Sequence, residues 1–431
     1  AFVQRFVPPE VAARVAALDM EGIGFMKESR RYYPNRELGA QVLGYVGVDN
    51  VGLGGIEAAY DQTVRGHAGT VLVQTDARRR AFSSVKRPPT TGATLELTID
   101  EGLQHIVERE LNAGVTAHKA LAGTAVVMDP MTGEILAMAS YPTFNPNTFR
   151  DASDAERRNR AVSDLYEPGS TFKIVTASAA LEEGVIHPSD PIDVSQCYIT
   201  FGPRRIDDDH CYKILSFSEV VVHSSNVGAI KVGLRLGASR LGSYITSFGF
   251  GRPTSVDFPG ESSGIVWNPA KLNDSALASV SMGYQVGVTP LQMAAAASLV
   301  ANGGHRVQPR VLRAVIDENG RTPVDTAEPS RVISTRTAAE LTSIMEDVVV
   351  SGTGRAAKVE GFTVAGKTGT ASKLPAQRSR ISPRSFPCPS SFSFSTRARP
   401  CGEGCIGRAS RIVPWRDVAT MNVLMFHTPV T

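Results

Sequence analysis

The sequence predicts a protein with a smaller first domain and a larger α+β domain, in which helices pack on a mostly antiparallel sheet. Strand-like segments occur near both ends of residues 89–373, and helical patterns dominate between about residues 165 and 300. Residues 1–88 are different, with short mixed elements rich in Gly and Arg. Strands at the two ends of a domain with a helical block between them are typical of the α+β class.

The composition is that of a folded protein and excludes a disordered or collagen-like chain. Of the 431 residues, 42% are hydrophobic and 20% are charged. A chain of this length is enough for two or three domains. No run of 18 or more uncharged apolar residues is present, so we expect no membrane span. The chain begins without Met or an export signal, which indicates a fragment.

The first domain is expected to cover residues 1–88. Charged residues 76–80 and the rigid pair Pro88-Pro89 end it, and such segments mark boundaries. The second domain, residues 89–373, begins with a strand over 94–99 that alternates with period two, followed by a helix over 101–111. The remaining predicted elements are strands over 123–129 and 133–140 joined by a tight hairpin, helices over 170–183, 219–223, 227–236 and 290–300, and strands over 310–316 and 361–365.

Residues 374–431 form a tail with a different composition. The tail has eight Arg and two acidic residues, a net charge of +6, whereas residues 1–373 have a net charge of −3. It also contains seven Pro, eight Ser and three of the five Cys. We expect an unstructured, solvated tail that binds no nucleic acid. Its abrupt change suggests a shifted reading frame or another aberrant C-terminus, which would leave the strand before it as an exposed edge.

The first chemical motif is Ser170-x-x-Lys173, at the start of a predicted helix that ends near Gly184. Residues three apart on a helix share a face, so the two side chains are expected within hydrogen-bond reach. A lysine whose pKa is lowered by burial can activate a serine for attack on a carbonyl. The helix N-terminus would favour the resulting oxyanion. The alternative is an N-capping serine beside a surface lysine.

Two later motifs complete a candidate site. Residues 223–226 read His-Ser-Ser-Asn between two predicted helices, and Ser224 and Asn226 could relay a proton and hold a substrate amide. A helix-capping loop is the alternative there. Residues 364–370 form a strand whose Lys367 and Thr368 could bind a terminal carboxylate while the edge pairs with an extended peptide.

The same segment also fits a nucleotide-binding pattern. Residues 361–368 match Gly-x4-Gly-Lys-Thr, which cradles phosphates in nucleotide hydrolases. That loop must follow a strand and open a helix, whereas residues 362–365 are strand formers and Ser, Arg and Pro follow. The context therefore disfavours a phosphate loop.

In chain order the three elements are Ser-x-x-Lys, Ser-x-Asn and Lys-Thr-Gly, a set found in class A β-lactamases and penicillin-binding proteins. From about residue 5 to residue 372 the chain resembles the class B penicillin-binding proteins, which are peptidoglycan D,D-transpeptidases. The resemblance to a pedestal domain argues against a bare β-lactamase, and the sequence is more similar to the division-specific branch than to the elongation branch. The segments that carry the resemblance are residues 30–35, 52–57, 97–100, 129–138 and 167–170.

The resemblance implies the penicillin-binding transpeptidase fold, an antiparallel sheet with helices on both faces and a helical subdomain, after a smaller mixed pedestal domain of the dimerisation type. It implies that Ser170 attacks the penultimate D-alanine of a stem peptide, that Lys173 accepts the proton, and that an amine from a neighbouring strand resolves the acyl-enzyme. The other implied site residues are Ser224 and Asn226 for proton relay and orientation, Lys367, Thr368 and Gly369 for substrate binding, and the backbone N–H groups of Ser170 and Thr370 for the oxyanion hole. No cofactor and no metal are expected.

The implied partners are peptidoglycan stem peptides on lipid-linked or nascent glycan strands, β-lactams that acylate the same serine, a membrane glycosyltransferase and other divisome proteins. Members of the family are held at the bacterial cytoplasmic membrane by one N-terminal helix, with the catalytic domain facing the periplasm or cell exterior. This chain is expected to begin after that helix. Two other functions remain open: a β-lactam sensor or scaffold that is acylated without turnover, and the nucleotide hydrolase.

The acidic run Asp207-Asp208-Asp209-His210 is expected to be a solvated loop, because consecutive acids cannot all face one metal ion. Cys197 and Cys211 flank that loop and form either a disulfide or two free thiols. The three cysteines of the tail show no zinc-finger spacing.

Overall fold

The computed structural model of the chain describes residues 2–26, 28–67, 69–75, 81–371 and 422–427. The predicted boundary segment 76–80 and most of the predicted tail lie outside these residues. The N-terminal part has short helices and one antiparallel hairpin, in which Thr70 pairs with Arg87. Its elements are α1 (Pro9–Ala16), α2 (Ala40–Leu43), α3 (Gly55–Ala59), α4 (Asp61–Val64), β1 (Thr70–Thr75) and β2 (Ala81–Arg87).

The larger part begins with a strand and a long helix, followed by a hairpin, as the sequence predicts. In the hairpin, Gly123 pairs with Tyr141 and Val127 with Ala137, in antiparallel register. Asp100 caps the long helix, since its side chain accepts a hydrogen bond from Leu103 N. These elements and the short helices after them are β3 (Thr94–Leu97), α5 (Glu101–Ala117), β4 (Gly123–Met128), β5 (Ile135–Tyr141), α6 (Asp154–Arg157) and α7 (Arg160–Ser163).

A mainly helical block follows and contains two small strand pairs. Its elements are α8 (Lys173–Glu182), β6 (Pro191–Asp193), β7 (Tyr198–Phe201), β8 (Arg204–Asp207), β9 (Ile214–Ser216), α9 (Phe217–Val222), α10 (Asn226–Leu236), α11 (Ala238–Ser247), α12 (Asp274–Ser281) and α13 (Pro290–Ala301). Strand β6 pairs with β9 and β7 with β8, all antiparallel. The predicted helix over 170–183 begins instead with a 3₁₀ turn, Gly169–Phe172, and continues as α8 from Lys173.

The chain then returns to strands and one long helix. These elements are β10 (His305–Arg306), β11 (Leu312–Asp317), β12 (Gly320–Pro323), β13 (Ser330–Arg331), α14 (Thr335–Val350), β14 (Val364–Gly369) and β15 (Asn422–His427). Strand β11 lies between β12 and β3, so the first strand of the larger part pairs with a strand that follows the helical block, in one antiparallel sheet. The predicted α+β architecture is therefore confirmed.

Strand β15 comes from the predicted tail and bears on the expectation of an exposed edge. It pairs with β14 over its whole length, with Lys367 opposite Leu424 and Gly369 opposite Asn422. One edge of β14 is thus occupied. The rest of residues 374–431 lies outside the described residues.

Helix α8 is at the centre of the largest core. Nine of its ten residues, from Lys173 to Leu181, are buried. Between its first and last residues its sequence is small or apolar on every side, which allows neighbours all round. It packs against α10, α11 and α14. Because the helix is enclosed, the amine at its first position is carried into the interior.

None of the helices in the described ranges is long and apolar enough to cross a membrane.

Asp257 connects the two parts of the chain, and its replacement gives a prediction about stability. The carboxylate is 2% exposed, accepts a hydrogen bond from Tyr60 Oη at 2.5 Å, and accepts one from Val311 N at 2.5 Å. Asp257→Ala leaves a buried backbone N–H without a partner, so we expect the free energy of unfolding to fall by about 3 kcal/mol. Urea unfolding measures this.

Asp49→Ala is the control for that variant, because the Asp49 side chain is 74% exposed and pairs with Arg5 at the surface. Surface pairs contribute little to stability. Equal effects of the two substitutions would contradict a buried, connecting role for Asp257.

Candidate active site

Ser170 lies in the tight turn that leads into α8. The turn is held by Gly169, whose N–H donates to Gly283 O at 3.0 Å and whose φ is +53°. A Cβ added to Gly169 would lie 2.6 Å from Thr370 O, so only glycine allows this close approach. The predicted nucleophile is half-buried and sits where the turn, the helix start and the end of β14 meet.

Lys173 points its amine at the loop between α9 and α10. The side chain is 2% exposed. Its Nζ donates to Ser224 O at 2.6 Å and to Asn226 Oδ1 at 2.9 Å, with Ser225 O at 3.2 Å. Burial lowers the pKa of Lys173 from its ordinary value to about 7, and the charges of Asp208 and Asp209 oppose this shift.

The structure shows no hydrogen bond between the side chains of Ser170 and Lys173, which the spacing predicts to lie within hydrogen-bond reach of each other. Among the described residues, Nζ of Lys173 bonds to residues 224–226 and not to Ser170 Oγ. The physical reason is the cluster of oxygens on the other side, which takes up the N–H donors of the buried amine. The amine of Lys173 instead points toward the facing loop.

Lys367 approaches the same loop from β14. It is 1% exposed, and its Nζ donates to Ser224 Oγ at 2.9 Å and to Thr368 O at 3.0 Å. Burial, and then the nearby positive charge of Lys173, hold the pKa of Lys367 well below its ordinary value. The amine is therefore a desolvated donor whose hydration has been replaced by two oxygen contacts.

Ser224 connects the two lysines. Its hydroxyl is 2.9 Å from Lys367 Nζ and 3.3 Å from Lys173 Nζ. The residue has a φ of +60°, in the left-handed region, where α9 has ended and α10 has not yet begun. A non-glycine residue there costs on the order of 1 kcal/mol and needs support from its surroundings. A hydroxyl held between two amines can pass a proton from one side to the other.

The end of β14 lies against the turn that carries Ser170. A Cβ added to Gly369 would lie 2.8 Å from Thr171 Cγ2 and 2.9 Å from Pro168 O. Thr370 is exposed, and Thr368 Oγ1 bonds to Thr353 Oγ1 at 2.7 Å. Among the described residues, the edge of β14 away from β15 pairs with no strand. All eight predicted site residues therefore lie on three segments that meet: the turn and first residue of α8, the loop that leads into α10 with the first residue of that helix, and β14 with the residue after it.

The phosphate-loop interpretation of residues 361–368 is wrong. Lys367 and Thr368 lie within β14, and the strand runs on to Gly369. In a phosphate loop they would lie at the start of a helix, where free backbone N–H groups cradle phosphate. The buried amine of Lys367 is instead bound to Ser224.

Asp208 is a residue of the site that the sequence did not reveal. Asp207 and Asp209 are exposed, as a solvated loop predicts, but Asp208 is half-buried. Its carboxylate accepts from Ser225 Oγ at 2.6 Å, from Val227 N at 2.9 Å and from Asn226 N. The interpretation as a solvated loop is therefore wrong for Asp208. Only the register of the hairpin could have shown which acid turns inward.

The structure bonds Cys197 to Cys211 and so decides between the two alternatives left open by the sequence. The bond closes the segment that contains β7, β8 and Asp208. Nothing in the described residues groups three or more metal-ligating side chains, and the acidic run takes part in helix capping instead.

Comparison with known proteins gives matches along most of the chain. Residues 123–384 match the family described as penicillin binding protein transpeptidase domain, and residues 2–97 match the penicillin-binding protein dimerisation domain. Stage V sporulation protein D of Bacillus subtilis is 37% identical over 384 residues, covering 86% of this chain and 59% of that protein. Peptidoglycan D,D-transpeptidase FtsI of Escherichia coli is 34% identical over 376 residues, covering 86% of this chain and 62% of that protein.

The chain thus spans about 60% of the length of these two relatives. Among solved structures, penicillin binding protein 3 of Mycobacterium tuberculosis in its apo form is similar with a TM-score of 0.72 and 33% identity, over 80% of this chain and 77% of that one. The same protein complexed with ampicillin gives a TM-score of 0.73 and 33% identity, over 81% of this chain and 76% of that one.

Proposed function

The chain belongs to the class B penicillin-binding proteins, with a transpeptidase domain behind a dimerisation domain, and from this we propose that it is a serine-type peptidoglycan D,D-transpeptidase of septal cell-wall synthesis. The observation that carries the proposal is the pair of buried lysines joined through the Ser224 hydroxyl, beside Ser170 at the start of a helix. Such an arrangement provides a nucleophile, a base and a cationic binding point in one cleft.

In the first step, Ser170 Oγ attacks the carbonyl carbon of the penultimate D-alanine while its proton passes to the neutral amine of Lys173. A pKa of about 7 gives this lysine a large neutral fraction at physiological pH. The backbone N–H groups of Ser170 and Thr370 bind the oxyanion. The C–N bond then breaks, the leaving nitrogen takes up a proton through Ser224, and the terminal D-alanine departs.

In the second step, an amine of a neighbouring stem peptide attacks the ester carbon. Its proton is taken up by Lys173 and passed to Ser170 Oγ as the bond between that oxygen and the carbonyl carbon breaks, so the cross-link forms and the serine hydroxyl is regenerated. Lys367 and Thr368, followed by Gly369, hold the donor's terminal carboxylate before the first step, and Asn226 orients the peptide amide. A β-lactam carries a carboxylate and a strained amide in a similar arrangement, so it acylates Ser170 by the same route.

The partners that follow from this proposal are stem peptides on lipid-linked or nascent glycan strands, a membrane glycosyltransferase and other divisome proteins. The location that follows is the outer side of the bacterial cytoplasmic membrane, facing the periplasm or cell exterior. These statements rest on family membership and on the relatives named above.

The proposal is tested by incubating the purified chain with a fluorescent penicillin and, separately, with a donor stem peptide and an acceptor amine. We expect a covalent fluorescent adduct on Ser170, identified by peptide mass, and release of D-alanine with formation of cross-linked product. An adduct without any cross-linking would support the sensor or scaffold alternative, and no adduct at all would overturn the proposal.

Replacement of Lys367 gives a further prediction. Lys367→Ala removes the cation that meets the substrate carboxylate, so we expect penicillin acylation to slow about 100-fold, since one buried charge-assisted contact contributes several kcal/mol. The second-order acylation rate constant measures this. The matched control is Lys358→Ala, because Lys358 is exposed; a similar loss in both variants would contradict a specific role for Lys367.

A further inference from the structure

We propose that Asp208 is a positioning residue, which fixes the loop of residues 224–226 around the Lys173 amine from the opposite side. This inference rests on the proposed function and deepens it, because it names a group outside the three motifs on which the same site depends.

The carboxylate of Asp208 holds the loop at three points. Its Oδ2 accepts from Ser225 Oγ at 2.6 Å, and its Oδ1 accepts from Val227 N at 2.9 Å and from Asn226 N. These are the side chain before α10 and the first two N–H groups of that helix, which no intrahelical carbonyl can satisfy. A carboxylate at a helix N-terminus also has a favourable interaction with the helix dipole.

The other side of the loop carries the oxygens that surround Lys173. The amine bonds to Ser224 O, Ser225 O and Asn226 Oδ1. The loop is therefore clamped between a carboxylate on its N–H side and an amine on its carbonyl side. If the carboxylate no longer accepts these hydrogen bonds, the carbonyls that orient the amine are free to shift. A shift of about 1 Å can slow the reaction about 100-fold.

The hairpin that carries Asp208 is held in a fixed frame. Strands β7 and β8 pair from Tyr198 opposite Asp207 to Phe201 opposite Arg204. Asp208 N donates to Cys197 O at 2.9 Å, and the Cys197–Cys211 disulfide closes the segment. Arg204 Nη1 adds a bond to Ser275 O at 2.9 Å, on α12. The position of the carboxylate is thus set by covalent and hydrogen-bonded contacts before any substrate binds.

Asp208 also acts on Lys173 through its charge. In the described part of the chain, the charged groups that act on the buried Lys173 are Asp208 and Asp209 from the hairpin, and the charge of Lys173 acts in turn on Lys367 of β14. The two carboxylates favour the protonated amine and oppose the lowering of its pKa by burial. Removal of one carboxylate charge must lower the pKa of Lys173 further.

The test is the pH profile of acylation by a fluorescent penicillin in the full chain, for wild type, Asp208→Asn and Asp208→Glu. For Asp208→Asn we expect two changes. The midpoint of the acid limb moves to lower pH than in wild type, and the plateau rate falls by roughly 10- to 100-fold. For Asp208→Glu we expect the midpoint to stay near that of wild type and part of the plateau rate to return. Asp193→Asn is the matched control, since Asp193 is exposed and bonds Ser195.

A purely structural role would lower the rate without moving the midpoint, so an unchanged midpoint in Asp208→Asn overturns the inference. The inference also fails if Asp208→Glu behaves as the Asn variant does. If wild type is labelled and Asp208→Asn is acylated at the same rate, the positioning role of Asp208 is rejected and the proposed function remains. Wild type that is not labelled would overturn the proposed function itself, and the two failures are therefore distinguishable.

Discussion

Replacement of Ser170 by alanine should abolish the covalent penicillin adduct. In the proposed mechanism the adduct is an ester of the Ser170 hydroxyl, so without that oxygen no bond can form, however well the ligand binds. We expect labelling below the detection limit, a loss of more than about 1,000-fold in acylation rate. Denaturing electrophoresis of the chain after incubation with a fluorescent penicillin measures this.

The control for Ser170→Ala is Ser178→Ala, one more Ser-to-Ala change on the same helical segment. Ser178 is 0% exposed, and its hydroxyl has no hydrogen-bond partner among the described residues. Its replacement should leave labelling unchanged. Persistent labelling of Ser170→Ala would remove this residue as the nucleophile and would require another acylated side chain.

Acylation by wild type should rise with pH through about 7 and then level off. The neutral amine of Lys173 is the form that accepts the Ser170 proton, and its pKa is lowered to about 7 by burial. Below that pH the amine is protonated, so each further unit should slow acylation tenfold; above it the neutral form predominates and the rate no longer changes. Stopped-flow or quenched acylation rates between pH 5 and 9 measure the profile.

Lys173→Met should remove this dependence and slow acylation by roughly 100- to 10,000-fold, the contribution expected of a general base. Lys231→Met is the control, since Lys231 is a lysine of α10 at the surface that bonds Asp193 O at 2.5 Å. If the acylation rate of Lys173→Met keeps the wild-type pH midpoint, a group other than Lys173 controls the pH dependence.

The two lysines have similar burial and different surroundings, and this difference assigns their roles. Lys173 faces backbone and amide oxygens and two carboxylate charges, which restore part of its basicity. Lys367 faces a hydroxyl, a single carbonyl and the charge of Lys173, and its pKa is held well below the ordinary value. A ligand carboxylate that approaches Lys367 adds the missing negative charge, which raises the pKa of Lys367 again and binds it as an ammonium ion.

Much of the site could be predicted from the sequence because its parts are local. The Ser-x-x-Lys spacing, the glycine before it and the strand around Lys367 are each short patterns with a direct geometric meaning. The hairpin of β4 and β5, and the helices α10 and α13, were predicted for the same reason. Hydrophobic period and turn residues determine such elements without reference to the rest of the chain.

The direction of the Lys173 amine and the role of Asp208 could not be predicted in this way. Lys173 meets residues 51 to 53 positions further on, and Asp208 meets residues 17 to 19 positions further on. Neither separation corresponds to a helical or strand period. Three consecutive acids look equally solvated in sequence, and only the pairing register of β7 with β8 decides which of them faces the start of α10.

Sequence patterns predict the candidate site residues and the local elements on which they lie, because turns, helices and strands are set by neighbours along the chain. Contacts between distant segments set the lowered pKa values of the two lysines, the position of the Ser224 hydroxyl between them and the hydrogen bonds of Asp208 to the start of α10. The physical reason is that a pKa depends on how much water and how many charges remain around a group, and packing between distant segments decides both.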